Sequence, residues 1–190
     1  MRKYEKQGRL EEIQKLIQEH KNDTIEQKKK VFKEIHEMFG GNIKILITGA
    51  AAIDQKVAQG YRDFGINLCQ GYGLTETSPV VAIETKTEHR LGSIGKKLPS
   101  LKTKIKNPNE EGIGELLVKG PTVMLGYYQN KEATNEVIQD EWFHTGDLAK
   151  IDKDGYIYIS GRKKSVIVLK NGKNIFPEEM ENLINRIQGV

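Results

Sequence analysis

Residues able to do chemistry concentrate in Gln70-Gly71-Tyr72-Gly73-Leu74-Thr75-Glu76-Thr77-Ser78-Pro79. Two glycines flank Tyr72, and Thr75 and Glu76 follow. Glycine lets backbone N–H groups come close to a ligand. Tyr72 presents a flat ring with a polar tip. Thr75 offers a hydroxyl to a phosphate oxygen, and Glu76 offers a hard oxygen suited to Mg²⁺. A glycine-rich turn with an exposed Thr–Glu pair fits the same residues equally well. Downstream, Trp142-Phe143-His144-Thr145-Gly146-Asp147 ends on a carboxylate beside a glycine. Such an aspartate can accept two hydrogen bonds from neighbouring ribose hydroxyls, or it can satisfy the N–H groups of its own turn. Gly161-Arg162-Lys163-Lys164 closes the set. Arg162 offers a planar fork of donors to ribose or phosphate, or serves as a surface ion-pair residue. His144 has no serine or cysteine nucleophile beside it and reads as a packing or positioning residue. Asp152-Lys153-Asp154-Gly155 resembles the opening of a calcium loop but lacks the later ligands, so it reads as a turn.

The elements that must position these residues follow from pattern. Apolar residues keep helical spacing from about residue 3 to residue 39, in two helices, the second closed by Gly40-Gly41. Residues 43–47 read as a strand, followed by a small-residue turn, Gly49-Ala50-Ala51-Ala52. Asp54 can cap a helix that ends at Gly65, and residues 66–69 give the next strand. A strand–helix–strand unit of this kind implies a parallel pair with a right-handed crossover. Ligands of such sheets gather at the carboxyl ends of the strands, here after Ile47 and after Gln70. From residue 91 to residue 162 short β-like runs alternate with turns at residues 107–112 and 152–155, and residues 131–138 can form one helix. Residues 166–169 read as a strand, Asn171-Gly172 as a turn, and Pro177-Glu178-Glu179 as a helix start. The expected class is mixed α/β: a truncated parallel-sheet subdomain over residues 1–90, a small distorted β-barrel over 91–162, and the beginning of a C-terminal α+β lid over 163–190.

Composition bounds the function. The chain has 190 residues, 37% of them hydrophobic and 29% charged, with a net charge of +4. With a mean hydropathy of -0.57 it has a core and a wet surface. The pI near 9.0 raises the question of nucleic acid. The basic residues are scattered among 26 acids and aromatic residues are only 7%, which argues against it. The single cysteine, Cys69, lies in an apolar run, where it packs rather than reacts, and cysteine usage this low points to a reducing, cytoplasmic setting. No window approaches the apolar length of a membrane span, and the first six residues lack a signal peptide's apolar core.

Taken in order, these motifs resemble the adenylate-forming acyl-CoA synthetase family, which includes luciferases and the adenylation domains of peptide synthetases. The resemblance covers residues 43–183. It rests on Gly49-Ala50-Ala51, Tyr72-Gly73-Leu74-Thr75-Glu76, Gly92-Ser93-Ile94-Gly95, Gly114-Glu115-Leu116, Gly126-Tyr127-Tyr128, residues 142–147, Asp154-Gly155, residues 161–164 and residues 174–179. The wording around Asn171-Gly172-Lys173-Asn174 and the amphipathic lead-in before Gly41 look most like the long-chain fatty acyl-CoA synthetase branch. The resemblance implies a two-step ligation of a fatty acid to coenzyme A through an acyl-adenylate, with ATP and Mg²⁺. On it, Tyr72 would stack on adenine, Thr75 would contact the α-phosphate and Glu76 would hold Mg²⁺. Asp147 would grip the ribose and Arg162 would support ribose or phosphate. Gly49, Ala50 and Ala51, with Gly73, would line the nucleotide, and Lys164 would be the hinge of the lid. The family's phosphate loop ending in lysine and its lid lysine are not found among these residues. The expectation is therefore a fragment with little activity alone and weak nucleotide binding, prone to self-association. An amphipathic N-terminal helix could touch a membrane surface. A stand-alone nucleotide-binding or interaction module is the competing reading.

Overall fold

The computed structural model describes residues 10–169, 174–184 and 187. The expected helical start at residues 3–9 and the Asn171-Gly172 turn lie outside the described residues. The chain divides into two compact units. One comprises the described residues up to Thr48 together with Ile53–Cys69, and the other comprises Gly49–Ala52 together with those from Gln70 onward.

Among the described residues up to Gly41, three helices occur where two are expected: α1 (Leu10–Glu19), α2 (Ile25–Val31) and α3 (Lys33–Met38). Thr24 and Gln27 form a reciprocal capping box at the start of α2, which satisfies two of the N–H groups a helix start leaves over. The break between α2 and α3 falls at Phe32, which leaves helical geometry with ψ 35°. Its buried ring meets Phe64 edge-on at 5.3 Å. His36 Nε2 lies 2.8 Å from the Phe64 carbonyl, fixing the same junction a second time. β1 (Leu46–Thr48) is shorter than the expected strand, and its Leu46 N–H donates to the Asn67 carbonyl at 2.8 Å. α4 (Gln55–Asp63) starts as expected: Asp54 Oδ1 accepts from the N–H groups of Lys56 and Val57. β2 (Leu68–Gly73) then begins with Leu68 and Cys69, both buried, Cys69 to 1% exposure.

In the second unit β2 continues through residues 70–73 and pairs antiparallel with β3 (Val80–Ile83), which pairs antiparallel with β4 (Lys96–Lys97). Sequence pattern alone does not reveal β3, because Pro79 masks its start. A second sheet, open and antiparallel, has the order β5 (Lys102–Lys106), β6 (Gly114–Lys119), β8 (Trp142–Ile151) and β7 (Ile138–Gln139), with β9 (Ile157–Arg162) also on β8. It realises the distorted β-barrel region read from the spacing of short strands and turns. β5 and β6 form the expected hairpin around residues 107–112, and β8 and β9 the one around residues 152–155. In the latter, Asp152 Oδ1 accepts from the N–H groups of Asp154 and Tyr156, so the calcium-like motif is a turn. Arg90 seals it from outside, donating to Asp152 at 2.5 Å and to Asp154 at 2.9 Å while its guanidinium lies over the Tyr156 ring. α5 (Lys131–Val137) is capped by Asn130. β10 (Ile167–Val168), β11 (Asn174–Ile175) and α6 (Pro177–Ile184) follow, the helix opening on proline as expected.

The core of this unit joins both sheets: Val81 and Ala82 of β3, Leu116 and Val118 of β6, Ala149 of β8, Ile157 of β9, with Ile94 and Leu101 from the connections. The segment before β4 is laced to β9 by reciprocal bonds, Ile94 N–H to the Ile157 carbonyl at 2.9 Å and Ile157 N–H to the Gly95 carbonyl at 3.0 Å. Gly95 is required there, since its φ is +82° and a Cβ would lie 2.1 Å from the Ile83 carbonyl carbon. Leu116 has no exposed surface. Leu116→Ala is therefore expected to destabilise this unit by about 2–5 kcal/mol through lost burial and the cavity left behind, seen as a lowered urea midpoint with the m-value unchanged.

Candidate functional site

The residues singled out by sequence lie within the second unit. Their arrangement rests on an irregularity in β8. His144 pairs with Leu117 and Leu148 pairs with Glu115 of β6, so Thr145, Gly146 and Asp147 together face the single residue Leu116. The other edge of β8 is shared, with β7 taking Trp142 and Phe143 and β9 taking Asp147 onward. A second register shift lies between Leu148 and Ala149 on the β9 side. Extra residues in a strand bend it and re-aim side chains. Gly146 takes φ +70°, a conformation glycine adopts without cost. Thr145 Oγ1 donates to the Leu116 carbonyl at 2.8 Å and accepts from the Asp147 N–H at 3.0 Å. The hydroxyl thus repairs the ladder where the strand bulges. The turn expected just before a strand is therefore a bulge inside one.

Asp147, 5% exposed, is presented by this bulge. One carboxylate oxygen accepts a short hydrogen bond from the Tyr72 hydroxyl. The other lies 3.2 Å from Arg162 Nε, and Arg162 also donates to the Thr145 carbonyl at 3.1 Å. Arg162 pairs directly with Asp147 across β8 and β9. Residues 72, 147 and 162, far apart in sequence, thus form one hydrogen-bonded group. A diol binding to Asp147 would exchange with, or add to, the Tyr72 hydroxyl.

Tyr72 lies near the end of β2, a strand where the sequence suggests a turn. Gly73 is needed there, but for packing: a Cβ would fall 1.7 Å from the Pro79 carbonyl oxygen. The turn that follows is held from within by Thr77, fully buried, whose Oγ1 accepts from the Leu74 N–H at 3.0 Å and lies 2.7 Å from the Pro79 carbonyl. Thr75 is exposed and Glu76 half-buried on this turn. Two bonds from one loop grip Glu76: Met124 N–H to its carbonyl at 2.8 Å and the Tyr127 hydroxyl to Oε1 at 2.9 Å. Mg²⁺ is commonly held by one or two carboxylates together with phosphate oxygens and water. A single carboxylate steadied in this way fits that pattern, and among the described residues no three His, Cys, Asp or Glu side chains converge as an all-protein cage.

Gly49, Ala50 and Ala51 are exposed, and Ala50 has φ 65°. A Cβ on Gly49 would stand 3.3 Å from the Gly71 carbonyl, so this turn comes close to β2 just ahead of Tyr72. Lys164 is exposed on the turn after β9.

Three participants escape sequence reasoning. Besides Thr77 and Tyr127 there is Glu84, 3% exposed, whose carboxylate accepts from the N–H groups of Gln70 at 3.0 Å and Arg90 at 2.9 Å. Thr77 lies inside the Gln70–Pro79 stretch and Tyr127 inside Gly126-Tyr127-Tyr128, whereas Glu84 belongs to no motif read from the sequence.

The model of the AMP-binding enzyme family matches residues 11–128. The chain belongs to the AMP-binding enzyme family. Within this family it is 39% identical over 152 residues to the long-chain-fatty-acid–CoA ligase FadD15 of Mycobacterium bovis, covering 80% of this chain and 24% of the relative. It is 37% identical to the long-chain-fatty-acid–CoA ligase of Salmonella typhimurium, covering 83% of this chain and 29% of that one. The chain thus spans 24% and 29% of the length of these two relatives. Among solved structures it resembles O-succinylbenzoate coenzyme A synthetase of Bacillus subtilis in complex with AMP, at 31% identity and TM-score 0.71 over 77% of this chain and 32% of that one. The same enzyme in complex with ATP and a magnesium ion gives a TM-score of 0.68 at 31% identity, over 75% of this chain and 31% of that one.

Burial, followed by the charge of Asp147 and the hydrogen bond to it, pushes the Tyr72 hydroxyl pKa well above the ordinary tyrosine value. The folded chain therefore holds this proton more tightly than the unfolded chain. The stabilisation is complete below the unfolded value of about 10 and is lost as pH rises through the folded one. Tyr72→Phe is expected to flatten the alkaline fall in stability, measured by urea denaturation at a series of pH values from neutral upward. An unchanged slope would show that the contact contributes nothing to it.

Proposed function

We propose that this chain supplies the adenylate-binding face of an ATP-dependent ligase that joins a fatty acid to coenzyme A. The observation that carries the reading is the group of Tyr72, Asp147 and Arg162 beside the Glu76 turn. In the first half-reaction a carboxylate oxygen attacks the α-phosphorus of ATP. A phosphorus–oxygen bond forms, the bond to pyrophosphate breaks, and acyl-adenylate results. In the second, the sulfur of coenzyme A attacks the acyl carbon, the bond to the AMP oxygen breaks, and the thiol proton is lost to solvent.

This chain's residues do the positioning. Tyr72 lies against the adenine and Asp147 accepts from the ribose hydroxyls. Arg162 donates to ribose or phosphate and Thr75 to the α-phosphate. Gly49, Ala50, Ala51 and Gly73 border the nucleotide, and Lys164 is the hinge beyond β9. Glu76 would hold Mg²⁺, which when bound neutralises phosphate charge. Fixed donors and a metal at a phosphoryl centre are what such a transfer needs, because catalysis there is mostly positioning and charge stabilisation. Long-chain acids are the favoured substrates, supported by the two named fatty-acid ligases among the relatives. The synthetase that shares the fold acts on a different acid, so acid preference is tested by a panel of acids rather than one.

Calorimetry is expected to show AMP binding to the chain and a loss of about tenfold or more in Asp147→Ala, since a carboxylate accepting from a ligand hydroxyl is worth roughly 1.5–3 kcal/mol. No AMP binding by the parent chain would overturn the nucleotide reading. Thioester formation from ATP, coenzyme A and fatty acids of graded length is expected near background for these 190 residues alone. Rapid turnover would overturn that part while leaving the ligase assignment in place.

A further inference from the structure

One charged cluster, built around a buried carboxylate, has no part in the scheme above. Glu115 of β6 is 7% exposed, and its Oε2 takes a hydrogen bond from Lys163 Nζ at 3.0 Å, with His144 Nδ1 at 3.4 Å. Burial by itself would raise the Glu115 pKa, but the hydrogen bond and charge of Lys163, with His144 behind them, outweigh burial and hold it below the ordinary value. The position of the pair matters more than its charge. Lys163 follows β9, which lies on one edge of β8, while Glu115 sits on β6 along the other edge. The lysine side chain therefore reaches across β8 beside the bulge. Its backbone is tied down at the same place, Lys163 N–H donating to the Gly146 carbonyl at 2.8 Å. Arg162, one residue earlier, binds Asp147 and the Thr145 carbonyl.

We propose that Glu115 is a positioning residue for the nucleotide site: by holding Lys163 across the bulge it fixes Arg162 against Asp147. The inference rests on the nucleotide reading above. Glu115 touches neither adenine nor ribose in that scheme. It sets the distance between two residues that do, and it anchors the residue immediately before the hinge at Lys164. Lys163 is exposed and Glu115 buried, so removing the lysine leaves a buried carboxylate without its cation, while removing the carboxylate releases a solvent-facing ammonium from its anchor.

The test uses Glu115→Gln, Lys163→Met, the double variant and Lys163→Arg. Two quantities are measured on each: AMP affinity by calorimetry, and amide hydrogen exchange across residues 161–165. Each of the first two is expected to weaken AMP binding by about fivefold to tenfold, with the double no weaker than the worse single, the pattern of residues acting through one contact. Exchange of the Lys163 amide is expected to quicken in all three, and Lys163→Arg is expected to restore both readouts toward the parent. Thermal unfolding separates this from a general loss of fold: a lowered Tm with parent-like AMP affinity and exchange assigns Glu115 to stability alone and overturns the proposal. AMP binding within twofold of the parent in both single variants overturns it as well, while leaving the nucleotide site intact. A parent chain that binds no AMP overturns the nucleotide reading and this inference with it.

Discussion

Three residues of β8 opposite one residue of β6 is the constraint on which the rest of the second unit depends. A regular ladder at this place would alternate side chains between the two faces and engage the backbone polar groups in strand bonds. With Thr145, Gly146 and Asp147 facing Leu116, the strand keeps its pairing on both sides and still frees a carboxylate to point at Tyr72 and Arg162. The cost of the irregularity is met locally, by a left-handed glycine and by a threonine hydroxyl that replaces the missing ladder partner. The core strands on both sides then hold the bulge rigidly, since Leu116 and Ala149 beside it are completely buried.

Buried carboxylates are expensive unless matched, and among the described residues of the second unit three are matched. Asp147 is matched by a hydroxyl and a guanidinium, Glu84 by two backbone N–H groups, Glu115 by an ammonium and an imidazole. Each joins segments distant in sequence. Glu84 binds β2 to the connection before β4, Glu115 binds β6 to the end of β9, and Asp147 binds β2, β8 and β9 together. The polar framework therefore locates the strands relative to one another, while the apolar core supplies the burial energy.

Much of this was legible in the sequence, because local rules govern it. The Asp54 cap, the Gly40-Gly41 stop, both hairpin turns and the proline-led last helix are decided by a few adjacent residues. The site residues were legible as types, since Tyr72, Asp147 and Arg162 stand beside glycines in an informative order. What was not legible depends on partners. Bulge residues and turn residues have the same composition, so residues 145–147 read as a turn until β6 is seen opposite them. Gly73 reads as room for a ligand, whereas the neighbour it accommodates is the Pro79 carbonyl. Tyr127 acts on Glu76 from 51 residues away and Glu84 on Gln70 from 14, and no spacing announces them, whereas Thr77 bonds only within its own turn. Phe32 sits in a helical pattern, and its contact with the ring of Phe64 at the helix break depends on a residue 32 positions away.

The lone thiol at Cys69 gives the molecule a property unrelated to its chemistry. It is almost wholly covered and stands near the start of β2, four residues before the glycine that Pro79 crowds. A reagent in solution reaches it only when that strand parts from its surroundings, and no second cysteine competes for label. The rate of alkylation under native conditions therefore counts openings of this one strand, which makes the wild-type chain its own clock for local unfolding.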